Sequence, residues 1–220
     1  KELGLQHSTF KNATGWPDDD HLMTARDLSK LAVLTIKRFP ELYSIYSETN
    51  FTHNKIKQGN RNPLLYKGMG ADGLKTGHTK AAGYGLTASV EKAGRRLILV
   101  INGLTSARKR TIESQRVIEW GFREYENHKV YNANDSVASI DVWLGEAKTI
   151  PALIETELLL TIKRSDKQKM KMIVNYEEPI TAPISKGQKV GTLKIQIPQK
   201  TVLTYPLVSA VDVERLNPLR

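Results

Sequence analysis

The spacing of apolar residues changes character once along this 220-residue chain, near residue 130. Before that point, apolar residues recur every three or four positions in two segments, which is the spacing of an amphipathic helix. After that point, apolar and polar residues alternate in short runs that prolines separate, which is typical of strands. This change of period indicates two structural units, an α+β unit followed by an all-β unit.

The first unit is expected to combine two helices with an antiparallel sheet. Thr24 and Asp27 open a capping-box-like helix start, and helical spacing then continues until Pro40. A second helical pattern runs from Ser106 to Tyr125. Between the two helices, extended segments are predicted over residues 74–79, 84–90 and 96–101. The turn-like stretch at 92–94 joins the last two segments, so we expect an antiparallel meander.

The second unit is expected to be a small β-sandwich-like domain. Residues 169–176 alternate between polar and apolar side chains, and residues 190–197 alternate in the same way. Prolines at positions 151, 179, 183, 198 and 206 separate several short strands. We therefore expect one domain over residues 1–129 and an all-β domain over residues 130–220.

Charge and composition exclude several classes of site. The formal net charge is +10, and the 21 basic and 13 acidic residues before Tyr131 supply +8 of it. Such a charge favours an anionic or carboxylate-bearing partner, but the basic residues are scattered and do not alternate with aromatics, which argues against nucleic acid. The absence of cysteine excludes disulfides, thiolate metal sites and a cysteine nucleophile. No apolar run approaches the roughly 18 residues that span a bilayer.

The stretch Lys75-Thr76-Gly77 stands out because a structural strand has little need for it. On a strand, glycine leaves room for another backbone to lie against the chain, while lysine supplies charge and threonine a hydroxyl. An extended peptide could pair with such an edge through its backbone. The alternative is an exposed edge strand whose lysine prevents aggregation. A tripeptide alone does not decide between the two.

The residues around this tripeptide carry a resemblance to a known family. The segments concerned read ATGWPDDDHLMTARDLSKLA, ELYSIYSETNFTHNKIKQGNRNPLLYKG and DGLKTGHTKAAGYGLTASVEKAGRRLILVINGLTSARKR. Together they resemble the serine-type D-alanyl-D-alanine carboxypeptidases, the low-molecular-mass penicillin-binding proteins, over residues 3–128. Residues 130–212 resemble the C-terminal β-rich domain of that family. The resemblance implies a penicillin-binding or serine β-lactamase-like catalytic domain, incomplete at its N-terminus, followed by a small all-β sandwich-like domain.

The resemblance also implies roles for particular residues. Lys75 is expected to be catalytic and to bind substrate, because its charge lowers the pKa of neighbouring proton-transfer groups. Thr76 and Arg110 are expected to hold the terminal carboxylate of the substrate. Gly77 lets the substrate lie against the strand, and the backbone N–H of His78 would complete an oxyanion hole. The implied chemistry uses neither a cofactor nor a metal.

The nucleophile of this family, the serine of a Ser-x-x-Lys motif, has no convincing match in the sequence. Three matches begin at Ser8, Ser89 and Ser106. The first lies in loop-like sequence, the second lies on a strand that runs into a turn, and the third opens a helix where serine commonly caps. The Ser-x-Asn motif of the family does not occur. We therefore expect the chain to begin downstream of both motifs, so that this chain alone is inactive.

The function implied is removal of the terminal D-alanine from peptidoglycan pentapeptides through an acyl-serine, with β-lactams as covalent inhibitors. Expected partners are a stem peptide ending in D-Ala-D-Ala, β-lactam antibiotics and the inner-membrane surface, but not nucleic acid. The parent protein is expected in the periplasm, associated with the inner membrane. Two alternatives remain: a non-catalytic fragment that binds peptidoglycan or a partner, and a β-lactamase. The appended β-domain argues against the β-lactamase.

Overall fold

The structure is a computed structural model that describes residues 2–217. The chain divides after Arg123 into two compact units. The helices are α1 (Ala25–Arg38), α2 (Pro40–Tyr43) and α3 (Ala107–Glu124). Short 3₁₀ turns cover Ser44–Ser47, Pro63–Tyr66 and Arg164–Lys169. Within the described residues, none of the helices has the length and apolar character needed to span a membrane.

The strands of the first unit form a hairpin and a three-stranded sheet. Their bounds are β1 (Asn50–His53), β2 (Ile56–Gly59), β3 (Ala71–Thr79), β4 (Gly83–Lys92) and β5 (Arg95–Leu104). Strands β1 and β2 pair with each other, and the sheet has the antiparallel order β3-β4-β5. The predicted meander and the two predicted long helices are confirmed.

Helix α1 begins as the sequence predicts. Thr24 is the N-cap, and its hydroxyl accepts a hydrogen bond of 3.1 Å from the Asp27 amide. Asp27 is itself buried, and its carboxylate accepts hydrogen bonds from the hydroxyl of Ser8 (2.7 Å) and the amide of His7 (2.9 Å). These bonds, with that of Ser8 contributing most, lower the pKa of the Asp27 carboxyl. Asp27, in the first turn of α1, thus also holds the N-terminal loop.

The three-stranded sheet of the first unit packs helices on both faces. On one face, Leu86, Ala88 and Val90 of β4 form a buried cluster with Ile118 of α3. On the other face, Ile98 of β5 packs against a cluster that contains Ala32 of α1. The alternation of side chains along β4 and β5 produces these two apolar faces. The sheet is therefore fixed from both sides, while the outer edge of β3 lies away from β4.

The second unit is built from strands, as predicted. Their bounds are β6 (Tyr125–Tyr131), β7 (Asp135–Trp143), β8 (Thr149–Ile154), β9 (Leu158–Lys163), β10 (Lys171–Asn175), β11 (Ile180–Thr181), β12 (Lys189–Gln196) and β13 (Leu203–Ser209). Six of them form a sheet in the order β10-β12-β13-β8-β7-β11, and β6 pairs with β9. Their inward side chains, among them Leu193, Ile195 and Leu207, form one core.

Strand β6 crosses residue 130, where the sequence suggested a domain boundary. Val130 and Tyr131 of this strand pack against the core of the second unit. The expected domain limits of 1–129 and 130–220 stay a prediction, and a truncation pair tests them. A chain that begins at Glu124 should fold alone, because it keeps β6 and the whole core. One that begins at Asn132 should be less stable by about 3 kcal/mol, from the loss of two partly buried apolar side chains.

Urea unfolding followed by circular dichroism would measure the difference between the two truncated chains. Equal midpoints and slopes would show that β6 adds nothing to the second unit. A disordered spectrum for the chain that begins at Glu124 would show that the unit does not fold independently.

Candidate active site

Strand β3 carries the Lys75-Thr76-Gly77 segment along an open edge. Its partner is β4, with Lys75 opposite Thr87 and Gly77 opposite Gly85. Within the described part of the chain no strand pairs with its other side. A backbone in extended conformation could therefore add to this edge by ordinary strand pairing.

Lys75 and Gly77 are exposed on this strand. The Lys75 ammonium donates a hydrogen bond of 2.8 Å to the carbonyl oxygen of Thr76, so it lies close to the strand. A Cβ built on Gly77 would meet no atom within 4 Å. The space around Gly77 is open. Steric crowding inside this chain therefore does not explain why the residue is a glycine.

Thr76 and His78 lie on the opposite face of β3 from Lys75, because side chains alternate along a strand. His78 is paired with Tyr84 of β4, and their ring centroids lie 3.9 Å apart at an interplanar angle of 30°. Thr76 is paired with Leu86, whose side chain belongs to the cluster with α3. Thr76, His78 and Tyr84 therefore share the face of the sheet on which α3 packs.

Arg110 of α3 reaches the same face. Its guanidinium carbon lies 5.8 Å from the centroid of the Tyr84 ring, which is the distance of a cation–π contact. One terminal nitrogen lies 3.5 Å from the carbonyl oxygen of Arg61, a long hydrogen bond. The Nε atom is buried and, among the described residues, has no hydrogen-bond partner. Arg110 thus has donor capacity that the surrounding protein does not use.

Burial is the main cause of a lowered pKa for Arg110, and the positive charge of Arg61 lowers it further. An arginine keeps its charge at neutral pH even so, because its ordinary pKa lies far above neutrality. Two guanidinium-bearing side chains near one another cost electrostatic energy without an anion between them. The arrangement around Arg110 and Arg61 is therefore suited to an anion such as a carboxylate.

The structure brings His78 and Arg110 together through Tyr84, a residue that the sequence reasoning missed. The register of the β3–β4 hairpin would have placed Tyr84 opposite His78, since only Lys80, Ala81 and Ala82 separate the two strands. Arg61 was also missed, and no signal in the sequence connects it with Arg110. The contact spans 49 positions of the chain and exists only in the folded unit.

Each serine of the three Ser-x-x-Lys matches has another partner. The Ser8 hydroxyl donates to Asp27 in the N-terminal loop, and the Ser89 hydroxyl, which is buried, accepts from Arg96. The Ser106 hydroxyl accepts a hydrogen bond of 3.1 Å from the Lys109 amide, as a residue at a helix start does. Among residues 2–217, no group of three or more acidic or histidine side chains is arranged to hold a metal ion.

Comparison with known proteins identifies the family of both units. The family described as D-alanyl-D-alanine carboxypeptidase matches residues 1–106, and the family described as penicillin-binding protein 5, C-terminal domain, matches residues 125–215. The D-alanyl-D-alanine carboxypeptidase DacC of Escherichia coli is 37% identical over 97% of this chain and 54% of its own length. The chain therefore spans about half the length of the curated relatives that it matches.

Solved structures agree with this family. Penicillin-binding protein 5 from Haemophilus influenzae has a TM-score of 0.80 and 33% identity, over 97% of this chain and 63% of its own. Penicillin-binding protein D2 from Listeria monocytogenes, solved in an ampicillin-bound form, has a TM-score of 0.51 and 34% identity over 55% of this chain and 51% of its own. The resemblance and the fold class that the sequence predicts are both confirmed. Residues 1–106 therefore belong to the D-alanyl-D-alanine carboxypeptidase family, and residues 125–215 belong to the family of the C-terminal domain of penicillin-binding protein 5.

Proposed function

We propose that this chain is part of a serine-type carboxypeptidase of peptidoglycan metabolism. The enzyme removes the terminal D-alanine of a stem peptide that ends in D-Ala-D-Ala, through an acyl-serine intermediate. The observation that best supports this proposal is the open edge of β3, where Lys75-Thr76-Gly77 lies beside an arginine held on Tyr84. Residues 1–129 are the C-terminal portion of the peptidase domain, and residues 130–220 are its β-domain.

The proposed role of Lys75 is electrostatic. Its ammonium lies at the exposed edge of β3 and interacts within the chain with a backbone carbonyl, so it can turn toward a bound substrate. A positive charge at this edge lowers the pKa of neighbouring proton-transfer groups and stabilises negative charge in the transition state. Lys75 is therefore the catalytic residue that this chain contributes.

The proposed substrate clamp consists of Thr76 and Arg110. They lie on the same face of the sheet, and the planar guanidinium can bind a carboxylate with two parallel hydrogen bonds. Such a clamp selects a free C-terminus, as a carboxypeptidase requires. The open space at Gly77 admits the substrate backbone, and the amide of His78 supplies one donor to the oxyanion.

The nucleophile is proposed to lie in a part of the protein that this sequence does not include. The support is that all three candidate serines are engaged in loop, strand and helix-start hydrogen bonds. The same observation favours the second candidate function, a non-catalytic module that binds peptidoglycan or a partner. A β-lactamase is the weaker third candidate, because the β-domain matches that of penicillin-binding protein 5.

Partners and location follow from the proposed reaction. The enzyme would bind β-lactams covalently as well as the stem peptide, and it would act in the periplasm at the inner-membrane surface. The basic character of the first unit suits the carboxylates of peptidoglycan and anionic headgroups. No role for nucleic acid, cofactor or metal is proposed.

A fluorescent penicillin tests the proposed function. The 220-residue chain alone should form no covalent adduct, because it lacks an activated serine. The protein with the remaining part of the family's catalytic domain supplied ahead of residue 1 should form one acyl adduct, seen by intact mass. An adduct on Ser106 in the chain alone would contradict our assignment of the nucleophile. Failure of both proteins to react would favour the non-catalytic module.

A further inference from the structure

A partly buried polar cluster holds the first residues of strand β3. The Tyr43 hydroxyl donates a hydrogen bond of 2.7 Å to Oδ1 of Asp72, and an Arg96 nitrogen donates one of 2.6 Å to Oδ2 of the same carboxylate. The same Arg96 nitrogen lies 2.5 Å from the buried hydroxyl of Ser89. Both oxygens of Asp72 are therefore occupied by donors from other elements. We call Tyr43, Asp72, Ser89 and Arg96 the Asp72 cluster.

Gly73, the next residue of β3, is also held by contacts with residues of other elements. A Cβ on Gly73 would lie 2.7 Å from the Tyr43 hydroxyl oxygen, so that only glycine permits this approach. The side-chain amide of Asn62, a residue only 1% exposed, donates a hydrogen bond of 2.8 Å to the Gly73 carbonyl. The Asn62 side chain is fixed in turn by the amide of Leu64 at 3.1 Å. Two consecutive residues of β3 are thus fixed through side chain and backbone, just before Lys75.

The cluster keeps its donors at physiological pH. Burial, together with the carboxylate of Asp72, raises the pKa of Tyr43 above its ordinary value, so the hydroxyl stays protonated and donates. The Arg96 guanidinium also lies 5.7 Å from the centroid of the Tyr43 ring. A polar network whose members are all satisfied is rigid, because moving one member leaves another without a partner.

We propose that Tyr43 is a positioning residue for the active-site strand: through Asp72 and Gly73 its hydroxyl fixes the path of β3, and so the place of Lys75 and Thr76 at the open edge. This inference rests on the proposed carboxypeptidase function. Tyr43 does not touch the substrate edge itself. It follows α1 at the end of α2, and it acts across 29 positions of the chain.

The test compares Tyr43→Phe with Tyr46→Phe. The first variant removes the hydroxyl that donates to Asp72 and keeps the ring. The second removes a hydroxyl that is not part of the Asp72 cluster, from a ring only 5.8 Å away. Two quantities are measured: amide hydrogen exchange in the 220-residue chain, and the rate of acylation by fluorescent penicillin with the remaining part of the catalytic domain supplied.

We expect Tyr43→Phe to speed exchange of the amides that join β3 to β4 about tenfold, the effect of removing the donor from a partly buried acceptor. Amides between β4 and β5 should keep their protection. The acylation rate should fall by a similar factor, about tenfold. Tyr46→Phe should change neither quantity.

Several outcomes would overturn the inference. Unchanged amide exchange in Tyr43→Phe would be one of them. Faster exchange throughout the sheet would be another, because Tyr43 would then contribute to general stability. The third would be faster exchange confined to the β3–β4 amides with no loss of acylation rate. If the unsubstituted protein is not acylated, the proposed function fails. In that case the exchange rate of the β3–β4 amides alone shows whether Tyr43 fixes the strand.

Discussion

Replacing Lys75 with glutamine is expected to lower kcat/KM for a D-Ala-D-Ala peptide by about 10²- to 10³-fold, or roughly 3–4 kcal/mol of transition-state stabilisation. Glutamine keeps most of the length and the hydrogen-bonding capacity of the side chain but removes the positive charge. The loss should appear in kcat more than in KM, because the charge stabilises the transition state. Steady-state kinetics with the remaining part of the catalytic domain supplied would measure it.

Lys80→Gln is the matched control for this variant. Lys80 is exposed and follows directly after β3, so its removal changes the net charge by the same amount. We expect less than a threefold effect, as for an exposed charge screened by salt. Equal losses for the two variants would show that only the overall field of the first unit matters. Lys75 would then not be a catalytic residue.

Replacing Arg110 with alanine is expected to weaken kcat/KM for the same peptide by roughly 2–4 kcal/mol, the range for losing a charge-assisted, partly buried contact. The physical reason is that Arg110 combines a fixed position on Tyr84 with donors that the protein leaves unused. Arg110→Lys should recover only part of the loss, since an ammonium keeps the charge but not the two-pronged geometry.

Two controls separate carboxylate recognition from other effects. Arg108→Ala removes an exposed arginine from the same turn of α3 and should leave kcat/KM within about twofold, as for a surface charge. Arg110→Ala should also lose much less activity on a peptide whose terminal carboxylate is amidated, because that ligand does not use the clamp. Equal losses on the free and amidated peptides would show that Arg110 supports the fold or the catalytic groups instead.

Local sequence was sufficient to predict the two long helices, the meander and two strands of the second unit, but not helix α2 or the β1–β2 hairpin. The Thr24 cap, the helical spacing up to Pro40 and the alternation over residues 190–197 each depend on neighbours within a few positions. Such signals are local, because a helix repeats every 3.6 residues and a strand every two. The same holds for the placing of Lys75-Thr76-Gly77 on a strand. The roles of these residues in catalysis stay predictions until the variants are measured.

The surroundings of the site could not be predicted in this way. Asp-Gly dipeptides favour turns in general, but Asp72 and Gly73 both lie inside β3. Residues 11 to 29 positions away hold them there. Tyr43 and Arg96 donate hydrogen bonds to the Asp72 carboxylate, and Asn62 donates one to the Gly73 carbonyl oxygen. Tertiary contacts therefore override the local preference.

Periodicity and short motifs are enough to assign the class of fold, the two long helices with the meander between them, and the resemblance of both units to known families. The packing of the folded unit places Arg110 over the Tyr84 ring, His78 against the same ring, and Arg61 beside them. Sequence patterns do not reveal these contacts, because they join a strand, a helix and a loop that lie far apart in the chain. Their distances depend on how the sheet packs against α3, and no periodic pattern along the chain records that packing.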